Sequence, residues 1–228
     1  MSKQQVKDEL EQDVLLDTFS KAQSFYDSNK NAVIGAAIAL IVIIGGSVGY
    51  YYYSTSQENQ AQQLMGQATQ AYLQGNFQQA LTGSETDFTV GFQQIINNYS
   101  ITDAANLARY YAAVSEFKLG NPMEALSYIQ EYEVPEGIMG VGPISFHGVV
   151  HTELGNHTQA AELYVKAAEW DMNESTTPYN YLEAAKAFHD AGNNSEAQKY
   201  AQKIVTEYAN SSQVTNAQKL LGTLATAK

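Results

Sequence analysis

From Asn31 to Gln57 the chain carries no charged side chain, and the apolar core of that run, Ala32 to Tyr53, is 22 residues long. Coiled as a helix at about 1.5 Å per residue, that core spans roughly 33 Å, close to the hydrocarbon thickness of a bilayer. A buried helix of a soluble domain seldom runs so far without a charge. A cleaved signal peptide has a shorter apolar region ending at a small-residue site, and no A-x-A pattern follows this one. The segment is expected to be a retained membrane helix, residues 31–54.

The basic residues orient it. Lys3, Lys7, Lys21 and Lys30 precede the run, and no Lys or Arg follows it until Arg109. Cytoplasmic flanks are enriched in Lys and Arg. Residues 1–30 are therefore expected in the cytoplasm and residues 55–228 across the membrane. Tyr50, Tyr51, Tyr52 and Tyr53 would form an aromatic belt at the outer interface. Ala32, Gly35, Ala39, Gly46 and Gly49 fall on one face of the helix, and Gly45 and Gly49 make a GxxxG pair. Small faces admit a second helix closely in lipid, so Gly35, Ala39, Gly45, Gly46 and Gly49 are candidate packing positions.

In the first segment Val6, Leu10, Val14, Leu15, Phe19, Ala22, Phe25 and Tyr26 recur at helical spacing. This predicts an amphipathic helix. Its acids, among them Asp8, Glu9, Glu11, Asp13 and Asp17, are unlike the basic face of a lipid-binding helix, which favours a protein partner.

Beyond the anchor a motif repeats. Gly-Asn-x-x-[Glu/Gln]-Ala occurs at Gly75, Gly120, Gly155 and Gly192, with spacings of 45, 35 and 37 residues. Seven positions before each glycine stands a small residue: Ala68, Ala113, Gly148 and Ala185. A glycine at positive φ can end a helix, and an Asn can cap the next one, with Glu or Gln completing a capping box. Small residues let the two helices approach. Each unit is thus a helical hairpin that cannot bury its apolar face alone, and stacked units bury it together. The first unit is irregular. Its second helix is expected to break at Thr82-Gly83 and to resume near Asp87–Asn98. A last helix, Ser212–Leu224, would cap the stack. The fold class expected is all-α: one transmembrane helix, then a helical solenoid of about four hairpins in residues 55–228, right-handed by the resemblance to the tetratricopeptide repeat that these residues carry.

These spacings resemble the tetratricopeptide repeat. The third unit carries Gly148, Gly155, Ala160, Tyr164 and Ala167 at that repeat's offsets. The fourth carries Tyr181, Ala185, Gly192 and Ala197, with Pro178 suited to a helix start. In such a solenoid Tyr110, Val114, Phe117, Tyr179 and Lys186 would face the concave side, a candidate partner surface.

Chemistry is sparse. There is no cysteine, which removes thiolate nucleophiles and Cys-type zinc sites. The formal charge of -12 repels phosphate backbones, so no nucleic-acid partner is expected. His147 and His151 have zinc-compatible spacing but no evident third ligand. Ser115 and Lys118 match an S-x-x-K spacing in mid-helix, where it arises by chance. Five N-x-[Ser/Thr] sequons begin at Asn98, Asn156, Asn173, Asn193 and Asn210. No cofactor, metal or catalysis is expected.

The layout also resembles the YfgM-like family of ancillary translocon subunits, in its Bacteroidota-type form. The stretch Phe92-Gln-Gln-Ile-Ile, Tyr99, Ala105-Asn-Leu-Ala-Arg-Tyr-Tyr-Ala112 and Gly120-Asn121 carries that likeness, together with the order of parts. The resemblance implies a bacterial inner-membrane protein with a periplasmic domain. It also implies the SecYEG channel, a periplasmic chaperone and exported chains as partners. The alternative is a structural scaffold for another cell-envelope assembly or secretion complex.

Overall fold

Helix is the only way a lipid-exposed stretch can satisfy its own backbone groups, and a chain poor in proline continues it readily. The computed structural model describes residues 3–86 and 88–226, apart from the side chains of residues 3–13 and 15. The chain divides into two compact units, residues 1–56 and 57–228.

The first unit holds helix α1 (Lys3–Ser28) and the opening of α2 (Lys30–Leu73). The hydrogen-bond ladder passes through the bend between them. Asn29 donates its N–H to the Phe25 carbonyl at 3.0 Å, and its own carbonyl accepts from Val33 at 3.0 Å. α1 is a helix, as its spacing predicts, but its apolar residues do not keep to one stripe. Val14 and Leu16 are both exposed, and two residues apart means nearly opposite sides of a helix. The side chains of Val6, Leu10 and Leu15, part of the expected stripe, lie outside the described residues. In α2 the five consecutive residues Leu40, Ile41, Val42, Ile43 and Ile44 are all exposed, so the segment is apolar on every side. It is the one helix among the described residues long and apolar enough to cross a membrane. The helix does not stop at residue 54, where the apolar run ends, because the polar residues that follow are equally good helix formers.

The second unit contains the last turns of α2, then α3 (Phe77–Thr82), α4 (Phe92–Asn98), α5 (Asp103–Lys118), α6 (Pro122–Gln130), α7 (Ile138–Glu153) and α8 (His157–Trp170). It closes with α9 (Thr177–Asp190), α10 (Asn194–Glu207) and α11 (Val214–Thr226). From α5 onward each helix packs against its neighbours in the chain. The interruption after Leu81 is a small antiparallel pair, β1 (Gly83–Ser84) and β2 (Thr89–Val90), with Gly83 opposite Val90. Helix resumes at Phe92, later than the expected Asp87, because Thr89 and Val90 are taken into the pair.

All four Gly-Asn turns share one backbone structure. The glycines sit at φ of 79°, 85°, 74° and 78° for Gly75, Gly120, Gly155 and Gly192. Each following Asn donates its N–H five residues back, Asn76 to Ala71, Asn121 to Glu116, Asn156 to His151 and Asn193 to Phe188, at 3.0, 2.9, 2.9 and 2.8 Å. Each glycine N–H reaches three residues back. This is the Schellman closure of a helix C-terminus. The same Asn then opens the next helix through its carbonyl, which accepts from Ala80, Ala125, Ala160 and Ala197. The expected side-chain capping differs. Only Asn193 accepts from the N–H three residues on, Glu196, at 3.3 Å, while Asn76, Asn121 and Asn156 make no side-chain cap. The side chains of Asn121 and Asn156 turn back to Glu116 and His151 instead, at 2.9 and 3.3 Å.

The small positions sit where the helices meet. Ala68, Ala113, Ala185 and the four alanines after the turns are buried. At Gly148 a side chain would meet the Tyr164 ring at 3.0 Å, so glycine lets α8 lie close to α7. Three ties reach across the sequence. The Glu58 carboxylate of α2 accepts from the Asp103 N–H of α5 at 2.8 Å, satisfying a helix-start donor. The Asn106 amide clamps the backbone of Glu133 with bonds of 2.8 and 2.9 Å. The indole of Trp170 donates to the Pro135 carbonyl at 3.1 Å, fixing the α6–α7 loop from the other side.

Candidate interaction surface

Tyr110, Val114 and Phe117 lie three and four residues apart on α5, so they form one stripe. Most of that stripe is covered. Val114 is only 8% exposed, and the half-buried Tyr110 ring meets Tyr132 at 5.5 Å and Phe146 at 5.9 Å. Phe117 meets the same Phe146 at 5.6 Å, edge to face. Val114 is thus a packing residue rather than an open partner contact, and Tyr110 and Phe117 present only one side. The physical reason is that a stripe this apolar is itself the best cover for α7. Burial pushes the Tyr110 hydroxyl up, and the neighbouring Tyr72, Tyr132 and Tyr111 push in the same direction. On α9, Tyr179 is 44% exposed, and Lys186 is exposed with its ammonium on Glu183 at 2.7 Å.

A groove that the sequence reading did not anticipate lies between the last turns of α2 and α5. It has a volume of ≈ 610 Å³, and its walls include Gln62, Thr69, Gln70, Leu73, Leu107 and Tyr111. No charged side chain lines it. Amides and a hydroxyl beside exposed leucines can hydrogen-bond a peptide backbone and cover apolar side chains. Gln62, Thr69 and Leu73 recur at helical steps on α2, which was the available signal. The other wall stands some 40 residues further along the chain, so only packing could bring the two together.

In α2, the glycines at 35, 45, 46 and 49 each have nothing within 4 Å of an added Cβ, and Ala39 is exposed, so the small-residue face is open. Tyr50, Tyr51, Tyr52 and Tyr53 are all exposed as well. The His147 and His151 rings stack with centroids 5.0 Å apart. Burial, then His151 and Lys166, hold His147 down to about 4, and burial lowers His151 too. Both are therefore neutral near pH 7. Among the described residues no group of three or more His, Asp or Glu side chains is arranged to hold a metal ion. Ser115 is fully buried, and its hydroxyl donates to the Tyr111 carbonyl at 2.7 Å, while Lys118 is exposed. Among the sequons, the Asn173 amide is spent inside its own loop, donating to Asp171 and Thr176 and accepting from Ser175 and Thr176.

No family model, no curated protein and no solved structure matches this chain.

Proposed function

We propose that this protein is a membrane-anchored protein-interaction scaffold: residues 1–30 in the cytoplasm, one membrane helix, and residues 55–228 a tetratricopeptide-like solenoid in the periplasm. The role proposed is that of an ancillary subunit of the SecYEG translocon, assisting exported chains together with a chaperone partner. The observation that carries the scaffold reading is the fourfold Gly-Asn turn, closed by the same backbone bonds each time. Four equal turns joining helices that pack on their chain neighbours are what a stacked repeat array requires. An array of that kind presents extended surface rather than a reaction centre. The apolar, wholly exposed stretch of α2 supports the anchor, and the excess of Lys before it supports the orientation. The translocon role rests on the resemblance of layout alone.

The test is photocrosslinking in the native membrane, with a photoreactive residue at Gly46 on the open small-residue face and another at Tyr179, which is exposed where Tyr110 is packed. Adducts with channel subunits at Gly46 and with exported chains or a chaperone at Tyr179 support the role. Adducts with an unrelated envelope complex, and none with the channel, move the protein to the alternative scaffold.

A further inference from the structure

At the end of the second unit away from the Gly-Asn turns of α7 and α9, the α6–α7 loop and the α8–α9 loop lie side by side. A Cβ on Gly137 would stand 3.5 Å from the Asp171 carboxylate, and Gly140 lies against the Trp170 indole and the Pro135 carbonyl. Three apolar side chains project there without cover: Ile138 at 52% exposure, Met139 at 73% and Met172 at 56%. The loops that carry them are tied by the Trp170 bond to Pro135 and by the Asn173 turn. The exposure is thus built into ordered structure rather than into a frayed end. Met139, Gly142 and Phe146 fall at helical steps on α7, so the patch continues toward the aromatic wall of Tyr110 and Phe117.

Its rim is acidic. Glu133, Glu136, Asp171 and Glu174 stand on the two loops, and none of the four is in an ion pair among the described residues. No Lys or Arg occurs between Lys118 and Lys166, and the Lys166 ammonium stands over the Trp170 ring at 5.5 Å rather than in an ion pair with a rim carboxylate. Unbranched methionines adapt to side chains of different shape, and unpaired carboxylates select cations at the rim. We infer that this patch binds short, unfolded peptide segments in which apolar residues alternate with Lys or Arg. The inference rests on the scaffold reading above and adds to it a site and a class of partner.

The experiment uses the full-length protein in phosphatidylcholine nanodiscs, with empty discs as the blank. The probe is a short fluorescent peptide alternating leucine and lysine, followed by anisotropy. A control peptide alternates leucine and glutamate. Saturable binding of the leucine–lysine peptide is expected, weakened about tenfold by Met139→Ser with Met172→Ser and about threefold by Glu136→Gln with Glu174→Gln. All four side chains are at the surface, so circular dichroism should be unchanged in both variants. Equal binding by wild type and the methionine variant overturns the proposal, and so does equal binding of the leucine–glutamate peptide. Absence of saturable binding overturns it too. So does a methionine variant that alters only self-association. Crosslinks from Gly46 judge the translocon role separately, whichever way the peptide result falls.

Discussion

After Gly75 the second helix of its hairpin, α3, runs 6 residues, whereas after Gly155 the counterpart α8 runs 14. The turns themselves are the same, with equal φ and equal backbone bonds. What differs is how the chain is held afterwards. α8 continues because Ala160, Tyr164 and Ala168 remain buried along its length. α3 stops because Gly83 and Gly91 fold the chain back on itself. A Cβ at Gly83 would clash with the Thr89 carbonyl oxygen, and one at Gly91 with that of Leu81. The core is then completed by a separate piece, α4, through Phe92 and Ile95, both fully buried and each contributing roughly 1.5–3 kcal/mol. A turn is thus a local structure, while the length of the helix after it is set by glycine placement and by what the next turn can bury.

The largest effect that would break this comparison is Gly83→Ala. The residue has φ 79° and ψ -169°, a region nearly confined to glycine, and the clash adds to that cost. A loss of about 3–4 kcal/mol is expected, read as a lowered unfolding midpoint of the full chain. Gly155→Ala and Gly75→Ala should each cost about 1–2 kcal/mol, because both sit at positive φ with open space around them. Equal local losses, measured by amide exchange on either side of each turn, would show that the turns are equivalent. Unequal losses would place the irregularity of the first hairpin in the turn rather than after it.

A pH titration probes the third hairpin through His147. His147 is neutral in the folded chain down to about 4, while the unfolded chain protonates near 6.5. The unfolded state therefore takes up the proton first, and stability present above pH 6.5 declines as pH falls toward 4. With allowance for a half-exposed ring, about 1–2 kcal/mol is at stake. The groups facing His147 are His151 on its own helix and Lys166 on α8. His147→Gln should flatten most of the decline in thermal midpoint over that window, and an unchanged slope would assign it to carboxylates elsewhere. The smallest effect is at the caps. Asn193→Ala should cost about 0.5–1 kcal/mol through its bond to Glu196, and Asn76→Ala close to nothing, since its side chain makes no cap.

The four turns, the small positions and the long apolar helix were legible in the residue order because each depends on neighbours a few positions away. A glycine that must reach positive φ, a small residue seven positions before it and an apolar run of 22 residues are local statements. Two of the departures from the reading share a cause. The side-chain caps failed at Asn121 and Asn156 because their amides found Glu116 and His151 on the preceding helix. The concave stripe closed because Val114 is buried and because Tyr110 and Phe117 pack on Phe146 of α7.

What the sequence by itself determined is where the four Gly-Asn turns end their helices and which stretch is apolar on all sides, since backbone bonds and glycine conformations act within about five residues. Only the tertiary structure decided the groove between α2 and α5, the clamp of Asn106 on Glu133, and the placing of the α6–α7 loop beside the α8–α9 loop. Those pairings join residues dozens of positions apart, and their free energy comes from surfaces that exist only once the helices have packed.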